Sequence, residues 1–230
     1  RLMNNVRLGI EKAGSFDSIA FDTWGVDFGL LDEAGHLMED PMHYRDSRTD
    51  GMTGQAERIL PAADLYAATG CQIMGINTLF QLMAVQKQQP ELWAKARQLL
   101  FMPDLFAYAL CGVRACEPPS PPPARCWMPA PGAGARPYWM PFRFPKPVCP
   151  DGAQRHGVGG IQGCQGHCGG GARYPVRRGG AARAAAGGSF FCSCGTWSLL
   201  GCELDEPILT EESLPWHSPT NGGPMARSTT

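Results

Sequence analysis

The sequence predicts an α/β fold. Two short apolar stretches, 18–22 and 26–32, have the composition of strands. Helical patterns follow them at 78–88, 90–101 and 102–112. Strands followed by helices along one chain are typical of α/β domains. No internal repeat is visible, so a repeat architecture is not expected.

A helix is predicted at the start of the chain, before the first strand. Over residues 2–13, Leu2, Val6 and Ile10 recur at spacings of four, which places them on one face of a helix. Gly14 suits the C-terminal cap, because glycine enters the left-handed conformation at little cost. We therefore expect an amphipathic helix that ends at this glycine.

A hairpin is predicted after the second strand. The turn sequence "DEAGH" spans 32–36, and its Gly35 can take a positive φ. The stretch "HLMEDPMHY" is then expected to return as a strand that ends near Pro41.

The three later helices have recognisable ends. Asn77 suits the N-cap of the first, and Pro90 suits the first turn of the second. The third is expected to end at Gly112. One face of the first of these helices is marked by Leu79, Leu82, Met83 and Gln86.

The composition changes abruptly after residue 117. Residues 118–190 contain 13 prolines, 15 glycines and no leucine, and Asp151 is their one acidic residue. Such a segment cannot bury enough apolar surface to offset the loss of chain entropy, so it is predicted to be disordered. From Phe191 to Leu214 the composition is ordinary again, and the pattern is then lost in 215–230.

The overall charge and hydropathy argue against two classes of partner. The formal net charge is −1, which provides no electrostatic basis for binding nucleic acid or a membrane surface. No apolar run of about 18 residues occurs, so no transmembrane helix is expected.

The stretch "FDTWGVDFGLLD" carries the first candidate site. Asp22 and Asp27 flank Trp24 and Gly25. Carboxylates accept hydrogen bonds from hydroxyls, and an aromatic ring stacks on C–H faces, so a sugar is one ligand that suits this group. On the pattern alone, a tight turn with solvated acids is the alternative.

Two further stretches are ambiguous on their own. "YRDSRTDG" places Arg45, Asp46 and Arg48 close together, and a surface ion-pair network is the favoured interpretation. "GTWSLLG" offers the Gly195 N–H and the Thr196 hydroxyl to a phosphate oxygen. For the second stretch taken alone, a plain strand and turn is the favoured interpretation.

The cysteine and glycine clusters of the second half do not match known site spacings. "CQGHCGG" (164–170) and "CSC" (192–194) suggest zinc, but the Cys-x3-Cys spacing is not a common finger spacing. The glycine clusters at 157–160 and 169–171 lack the Lys-Ser/Thr of a P-loop. No metal ligand is therefore assigned.

In combination, these motifs resemble the rhamnulokinases of the FGGY carbohydrate kinase family. The resemblance is carried, in order, by "SIAFDTWGVDFGLLDEAG", "YRDSRTDGM", "GINTLFQLMAVQKQQPELW", "LLFMPDLFAYALCG" and "CGTWSLLG". It covers residues 1–117 almost continuously and 191–214 more thinly.

The resemblance implies an actin-like, ribonuclease-H-like ATPase fold of two domains with a cleft between them. Residues 1–117 would then belong to the N-terminal, sugar-binding domain, and 191–214 to the start of the C-terminal, ATP-binding domain. The implied reaction is phosphorylation of the 1-hydroxyl of L-rhamnulose by MgATP, in the cytoplasm, with an Asp of a His-Asp-Thr motif as the base. Positioning and charge neutralisation by Mg²⁺ supply most of such catalysis.

Site residues follow from the resemblance by motif. Gly25 corresponds to a substrate-contacting glycine, and Thr196, beside Gly195, to an ATP-contacting threonine. Asp22, Trp24 and Asp27 are expected to line the sugar pocket. The implied partners are thus a sugar and ATP, without nucleic acid or membrane.

The sequence departs from the family pattern in three places. The phosphate-binding hairpin that opens the family's fold would precede Arg1, and we expect the chain to be a fragment. Most of the C-terminal domain is missing from the sequence, and His-Asp-Thr occurs nowhere in it. As written, the chain is expected to be inactive.

A shift of reading frame explains both the odd composition and the missing motif. If Ala172, Arg173 and Tyr174 are encoded by GCA, CGA and TAC, the same bases translated one position later spell His-Asp-Thr. Wrong-frame translation of GC-rich DNA gives Pro, Arg, Gly and Ala, as found here. We therefore expect 118–190 and 215–230 to be out of frame.

Three interpretations of the function stay open at this point. The chain represents a rhamnulokinase, or a kinase of a related ketose, or a non-catalytic fragment. A zinc module around Cys164 and Cys168 belongs to a different class and would require bound zinc.

Overall fold

The structure is a computed structural model. It describes residues 2–16, 18–21, 23, 25–69 and 72–114, the strand segments 167–169, 190–194 and 198–202, and residue 210. None of the helices in these ranges has the length and apolarity that a bilayer crossing requires.

Helices dominate the described part of the first half of the chain. They are α1 (Leu2–Ala13), α2 (Met52–Glu57), α3 (Ala62–Thr69), α4 (Thr78–Gln88), α5 (Pro90–Lys95) and α6 (Met102–Cys111), with a short 3-10 turn at Ser47–Thr49. The strands are β1 (Ser18–Ala20), β2 (Phe28–Leu31), β3 (Gln98–Phe101), β4 (His167–Gly169), β5 (Phe190–Cys194) and β6 (Ser198–Cys202). Over 18–111 the strands β1 and β2 are followed by the helices α2 to α5, and β3 then precedes α6, so strands and helices are mixed as expected for an α/β fold.

Strands β2 and β3 form the antiparallel pair at the centre of this half. Phe28 faces Phe101 across the pair, and Leu31 faces Gln98. All four residues of β2 are buried, because side chains pack on both of its faces. The pair thus fixes the position of the loop that leads into β2.

The predicted hairpin turn is present at the end of β2. The Gly35 N–H donates to the carbonyl of Asp32 at 3.1 Å, and φ of Gly35 is +90°. The Asp32 carboxylate accepts the N–H of His36 at 2.8 Å. That backbone hydrogen bond lowers the pKa of the exposed Asp32 below its ordinary value.

The returning strand predicted over 36–44 does not form. Leu37 makes a single bridge to Leu31, and the chain then leaves β2. Pro41 has no N–H to donate to a strand ladder, and glycine or proline at an edge commonly ends the pairing.

The helix predicted over 90–101 is half helix and half strand. Helix α5 ends at Lys95, and Ala96 is already extended, with ψ of 134°. Residues 98–101 pair with β2 instead. Pairing buries Leu99 and Leu100, and this tertiary contact outweighs the helix propensity of the leucines.

Helix α4 forms the centre of the main core. Residues 78–85 are all buried, so the first two turns of the helix are enclosed on every side rather than on the one face predicted, and the last turn is more exposed. The core packed around it comprises Phe28, Leu30, Met52, Ala56, Leu65, Leu79, Phe80, Leu82, Met83, Ala84, Val85 and Leu99. Since α2 and α3 contribute to this core, the two helices that the sequence pattern did not reveal are integral to it.

A second cluster joins the two ends of the first half. Ile10 of α1 packs with Ala107 and Leu110 of α6. Phe21 stacks on Phe106, with ring centroids 5.5 Å apart. Helix α1 ends before Gly14, whose φ of +73° fits the predicted cap.

The later strands lie partly within the segment predicted to be disordered. Strand β4 pairs in parallel with β1, and β5 pairs antiparallel with β6. His167–Gly169 and Phe190 thus belong to strands, which differs from the expectation for 118–190. The other residues of that segment, and all of 215–230, lie outside the described residues.

Candidate functional site

A tight turn immediately before β2 forms the centre of the candidate site. The Asp27 N–H donates to the carbonyl of Gly25 at 2.9 Å, two residues back. Val26 lies between them with φ of +68°. A hydrogen bond to residue i−2 across a residue with positive φ defines a γ-turn of the rarer, strained kind.

The turn stores strain because its central residue is valine. A β-branched side chain with positive φ is an outlier, and such a residue costs about 1–3 kcal/mol and persists only where its surroundings enforce it. Val26 is also buried, with 7 % of its surface exposed. Strain of this kind concentrates at binding and catalytic sites, so the turn is a candidate for function.

Two side chains of α4 hold the carbonyl of Val26. The Thr78 hydroxyl donates to it at 2.9 Å, and Nε2 of Gln81 donates at 3.2 Å. Both side chains belong to the first turn of a helix whose first two turns are buried all round, so neither can move away freely.

The carboxylate of Asp27 is directed into the protein. Its Oδ1 accepts from Nε2 of Gln81 and its Oδ2 from the N–H of Tyr44, both at 3.2 Å. Only 1 % of Asp27 is exposed. In this structure the carboxylate therefore anchors the turn and the Tyr44 loop. The prediction that Asp27 lines a sugar pocket stays a prediction.

Gln81 connects the turn to Arg48. The side chain of Gln81 is fully buried, and its Oε1 accepts from a terminal guanidinium nitrogen of Arg48 at 2.7 Å. Its Nε2 also donates to the carbonyl of Ile76 at 3.0 Å. One amide therefore contacts three separate segments of the chain.

Arg48 lies partly inside the protein rather than in the predicted surface ion-pair network. Burial lowers the pKa of its guanidinium, an effect opposed first by the charge of Asp46 and then by Glu39 and Asp27. In the part of the chain that the structure describes, the Nε of Arg48 is buried without a hydrogen-bond partner. The guanidinium lies 6.0 Å from the centre of the Phe28 ring, at the limit of a cation–π contact.

Asp46 has a local role in the same motif. It precedes the 3-10 turn, and its side chain accepts the N–H of Arg48 at 2.9 Å. Among the described residues, no ion pair within 4.0 Å joins Asp46 to either arginine of the motif. The surface-network prediction is therefore wrong, because Arg48 is drawn inward by Gln81.

Exposed aromatic and basic side chains lie next to the turn. His43 and Tyr44 stack with ring centroids 4.3 Å apart, and Arg45 lies 5.5 Å from the Tyr44 ring. Because the Tyr44 N–H donates to the Asp27 carboxylate, this group is anchored to the turn at Asp27.

The other predicted site residues are distributed as follows. Gly25 is half-buried at the start of the turn. Asp22, Trp24, Gly195, Thr196 and the segment 172–174 lie outside the described residues. Cys194 pairs with Ser198, so residues 195–197 connect β5 to β6.

The described residues do not form a metal site. No group of three or more His, Cys, Asp or Glu side chains is placed to hold an ion within the described ranges. An open depression of about 340 Å³ between α2 and α4 is lined by Met52, Gln55, Arg58, Ile59, Met83, Gln86 and Lys87, and it shares no residue with the turn network. The turn before β2 is thus the best-defined candidate site.

The sequence analysis missed Thr78 and Gln81. Both lie in the stretch "INTLFQL", which carried part of the family resemblance. Two polar residues inside an otherwise apolar helical stretch were the available signal, because buried polar groups are bonded in nearly all proteins.

The structure is similar to several solved carbohydrate kinases, whereas no protein-family model matches the chain. It superposes on a ligand-bound xylulose kinase from Lactobacillus acidophilus with a TM-score of 0.60 at 13 % identity, covering 72 % of this chain and 36 % of that one. On a gluconate kinase from the same organism the TM-score is 0.61 at 13 % identity, covering 72 % of this chain and 36 % of that one. On a xylulose kinase from Rhodospirillum rubrum the TM-score is 0.58 at 14 % identity, covering 70 % of this chain and 36 % of that one.

These similarities confirm the predicted fold class. The chain is an incomplete α/β portion of the actin-like ATPase fold found in sugar kinases. It spans about a third of the length of the structures it matches. At these identities the comparison concerns the fold alone.

Proposed function

We propose that the chain represents a carbohydrate kinase and that residues 1–117 contribute its sugar-binding part. The observation that carries the proposal is the strained turn at Gly25–Asp27, held by hydrogen bonds from Thr78, Gln81 and Tyr44 within a fold that sugar kinases share. The proposed reaction is ATP-dependent phosphorylation of L-rhamnulose at its 1-hydroxyl.

The turn offers a sugar an accessible backbone. Gly25 has no side chain, so a ligand can approach its peptide groups closely. We propose that Trp24 stacks on the C–H face of the sugar and that Asp22 accepts hydrogen bonds from hydroxyls. Asp27 stabilises this arrangement, because its carboxylate accepts hydrogen bonds from the Tyr44 N–H and from Nε2 of Gln81.

ATP is proposed to bind at the β5–β6 connection, through Gly195 and Thr196. Mg²⁺ would accompany ATP and supply charge neutralisation during phosphoryl transfer. Within the described residues no side-chain group fits the ion, so we derive no step through it. The proposed partners are thus two small molecules, and the proposed location is the cytoplasm.

A binding experiment tests the sugar proposal without requiring catalysis. Saturation-transfer difference NMR on the full chain should show transfer from protein to L-rhamnulose. Gly25→Ala should reduce that transfer strongly, because the new methyl group occupies the ligand face. Gly9→Ala is the matched control, since a methyl group there meets no atom within 4 Å. Transfer that is equal in all three proteins, or absent from the wild type, would contradict the proposal.

A related ketose is the second candidate substrate. It is favoured by the fold similarity to proteins described as xylulose kinases. D-xylulose in the same NMR experiment distinguishes the two, because the better substrate should compete the other off the protein. A fragment without any sugar affinity would instead support the non-catalytic interpretation.

A further inference from the structure

We infer that Gln81, assisted by Thr78, is the positioning residue of the Gly25–Asp27 turn and sets the geometry of the ligand face at Gly25. The inference rests on the proposed function for the identity of the ligand, but not for the hydrogen bonding that holds the turn.

The peptide between Val26 and Asp27 is held in one orientation by α4. Its carbonyl receives two hydrogen bonds, from Thr78 and Gln81. Fixing the direction of this carbonyl fixes the rotation of the Val26–Asp27 peptide plane. The same plane carries the Asp27 N–H that closes the turn onto Gly25. The two α4 side chains therefore fix ψ of Val26 and φ of Asp27, and this holds the hydrogen bond across Val26, whose φ is +68°.

Further hydrogen bonds explain why the strain persists. A valine in this conformation would relax if its surroundings allowed it. The Asp27 carbonyl is also held, by the N–H of Met102 at 3.2 Å, and its carboxylate is held by Gln81 and Tyr44. Gln81 bonds both Val26 and Asp27 through its Nε2, so it is the central element of the clamp.

Gln81 is itself held in place by other segments of the chain. Its Oε1 accepts from Arg48, and its Nε2 also donates to Ile76. A charge-assisted bond of 2.7 Å fixes which end of the amide faces the turn, because the oxygen is committed to the guanidinium. Arg48 therefore orients Gln81, and Gln81 orients the turn.

The test uses amide hydrogen exchange and sugar binding on the full chain. Thr78→Val removes one hydrogen bond to the turn while keeping the shape of the side chain, and Thr78→Ser retains the hydroxyl. We expect Thr78→Val to accelerate exchange of the Asp27 amide by about tenfold, with exchange at Leu100 in β3 unchanged. Thr78→Ser should behave like the wild type.

Gln81→Met is the stronger variant, with the risk that it fails to fold. Where it folds, Asp27 exchange should be faster than in Thr78→Val. Sugar affinity should fall by about tenfold or more in both variants, because a ligand face displaced by a fraction of an ångström no longer fits. Thr78→Ser should restore it.

The outcomes separate the two proposals. Unchanged Asp27 exchange in Thr78→Val would overturn the clamp. Faster exchange with unchanged affinity for L-rhamnulose and D-xylulose would overturn the positioning role. A wild type that binds neither sugar would overturn the proposed function, and the exchange data would still decide the clamp.

Discussion

Val26 illustrates how a single residue can conflict with its local conformation. Valine favours extended backbone, and the sequence around it was predicted as strand from residue 26 onward. The structure begins the strand at Phe28, because Val26 has φ of +68°. The conflict is resolved by hydrogen bonds from α4, more than 50 residues away in sequence. Such non-local bonds leave no signature in the residues of the turn.

The sign of the strain at Val26 can be measured by comparing two truncations. At ordinary positions a glycine variant of a protein is less stable than the alanine variant, by about 1 kcal/mol inside a helix. At Val26 we expect the reverse, with Val26→Gly about 1 kcal/mol more stable than Val26→Ala, because glycine accepts positive φ without a steric penalty. The free energy of unfolding is measured by urea denaturation of the two Val26 variants and of a control pair in α4, Val85→Gly and Val85→Ala. The same order at both positions would refute it.

Some residues of the candidate site are suggested by the sequence around them, and others are placed there only by the fold. Gly25 was identified through the motif around it, and the backbone turn at that position agrees with a tight turn. Gln81 was not identified, since only the fold places it beside Asp27 at 3.2 Å. Arg48 was assigned to the surface because clustered charges are usually solvated, and its inward direction depends on the buried Gln81.

Among the structural elements, the hairpin turn after β2 was predictable from its own residues. Gly35 has φ of +90°, and its carbonyl accepts the Tyr108 hydroxyl of α6 at 2.9 Å. A methyl group on Gly35 would meet that hydroxyl and the guanidinium of Arg114. The glycine therefore serves both the turn and the packing of α6 against it.

Replacing two positive-φ glycines by alanine separates these contributions. Gly35→Ala should lower the free energy of unfolding by about 2–4 kcal/mol, from backbone strain together with displacement of Tyr108. Gly51→Ala is the control, because Gly51 has φ of +73° but open space around it, and should cost about 1 kcal/mol. Chemical denaturation measures both. If the two substitutions cost the same, the contact with Tyr108 contributes nothing.

For the whole molecule, local sequence signals were sufficient for α1, α4, α6 and the hairpin turn, which all carry capping residues or clear periodicity. They failed for residues 98–101, because "QLLF" fits a helix or a strand and only pairing with β2 decides. They also missed α2 and α3, which are short; Gly54 lies within α2, and Pro61 lies between the two helices. Tertiary contacts, not propensity, form these elements.

The last prediction concerns the chain as a product of its gene. The His-Asp-Thr motif proposed for catalysis is absent from the sequence in this frame, while the chain shares its fold with solved sugar kinases. The coding DNA over 172–174, translated one base later, should therefore spell His-Asp-Thr. A gene restored to that frame and encoding both domains of the kinase fold should give ketose-dependent ADP release in a coupled assay, and the chain as written should give none.

Changing the aspartate of the restored motif to asparagine should lower this rate by about 10²–10⁴-fold, the usual contribution of a general base. The restored protein with Gly9→Ala should keep its rate, because that site touches nothing. Sugar binding to the chain as written is expected to survive, since the turn network lies entirely within 25–102. Ketose-dependent ATP turnover by the chain as written would contradict the frame hypothesis, because it would place the base in residues already present.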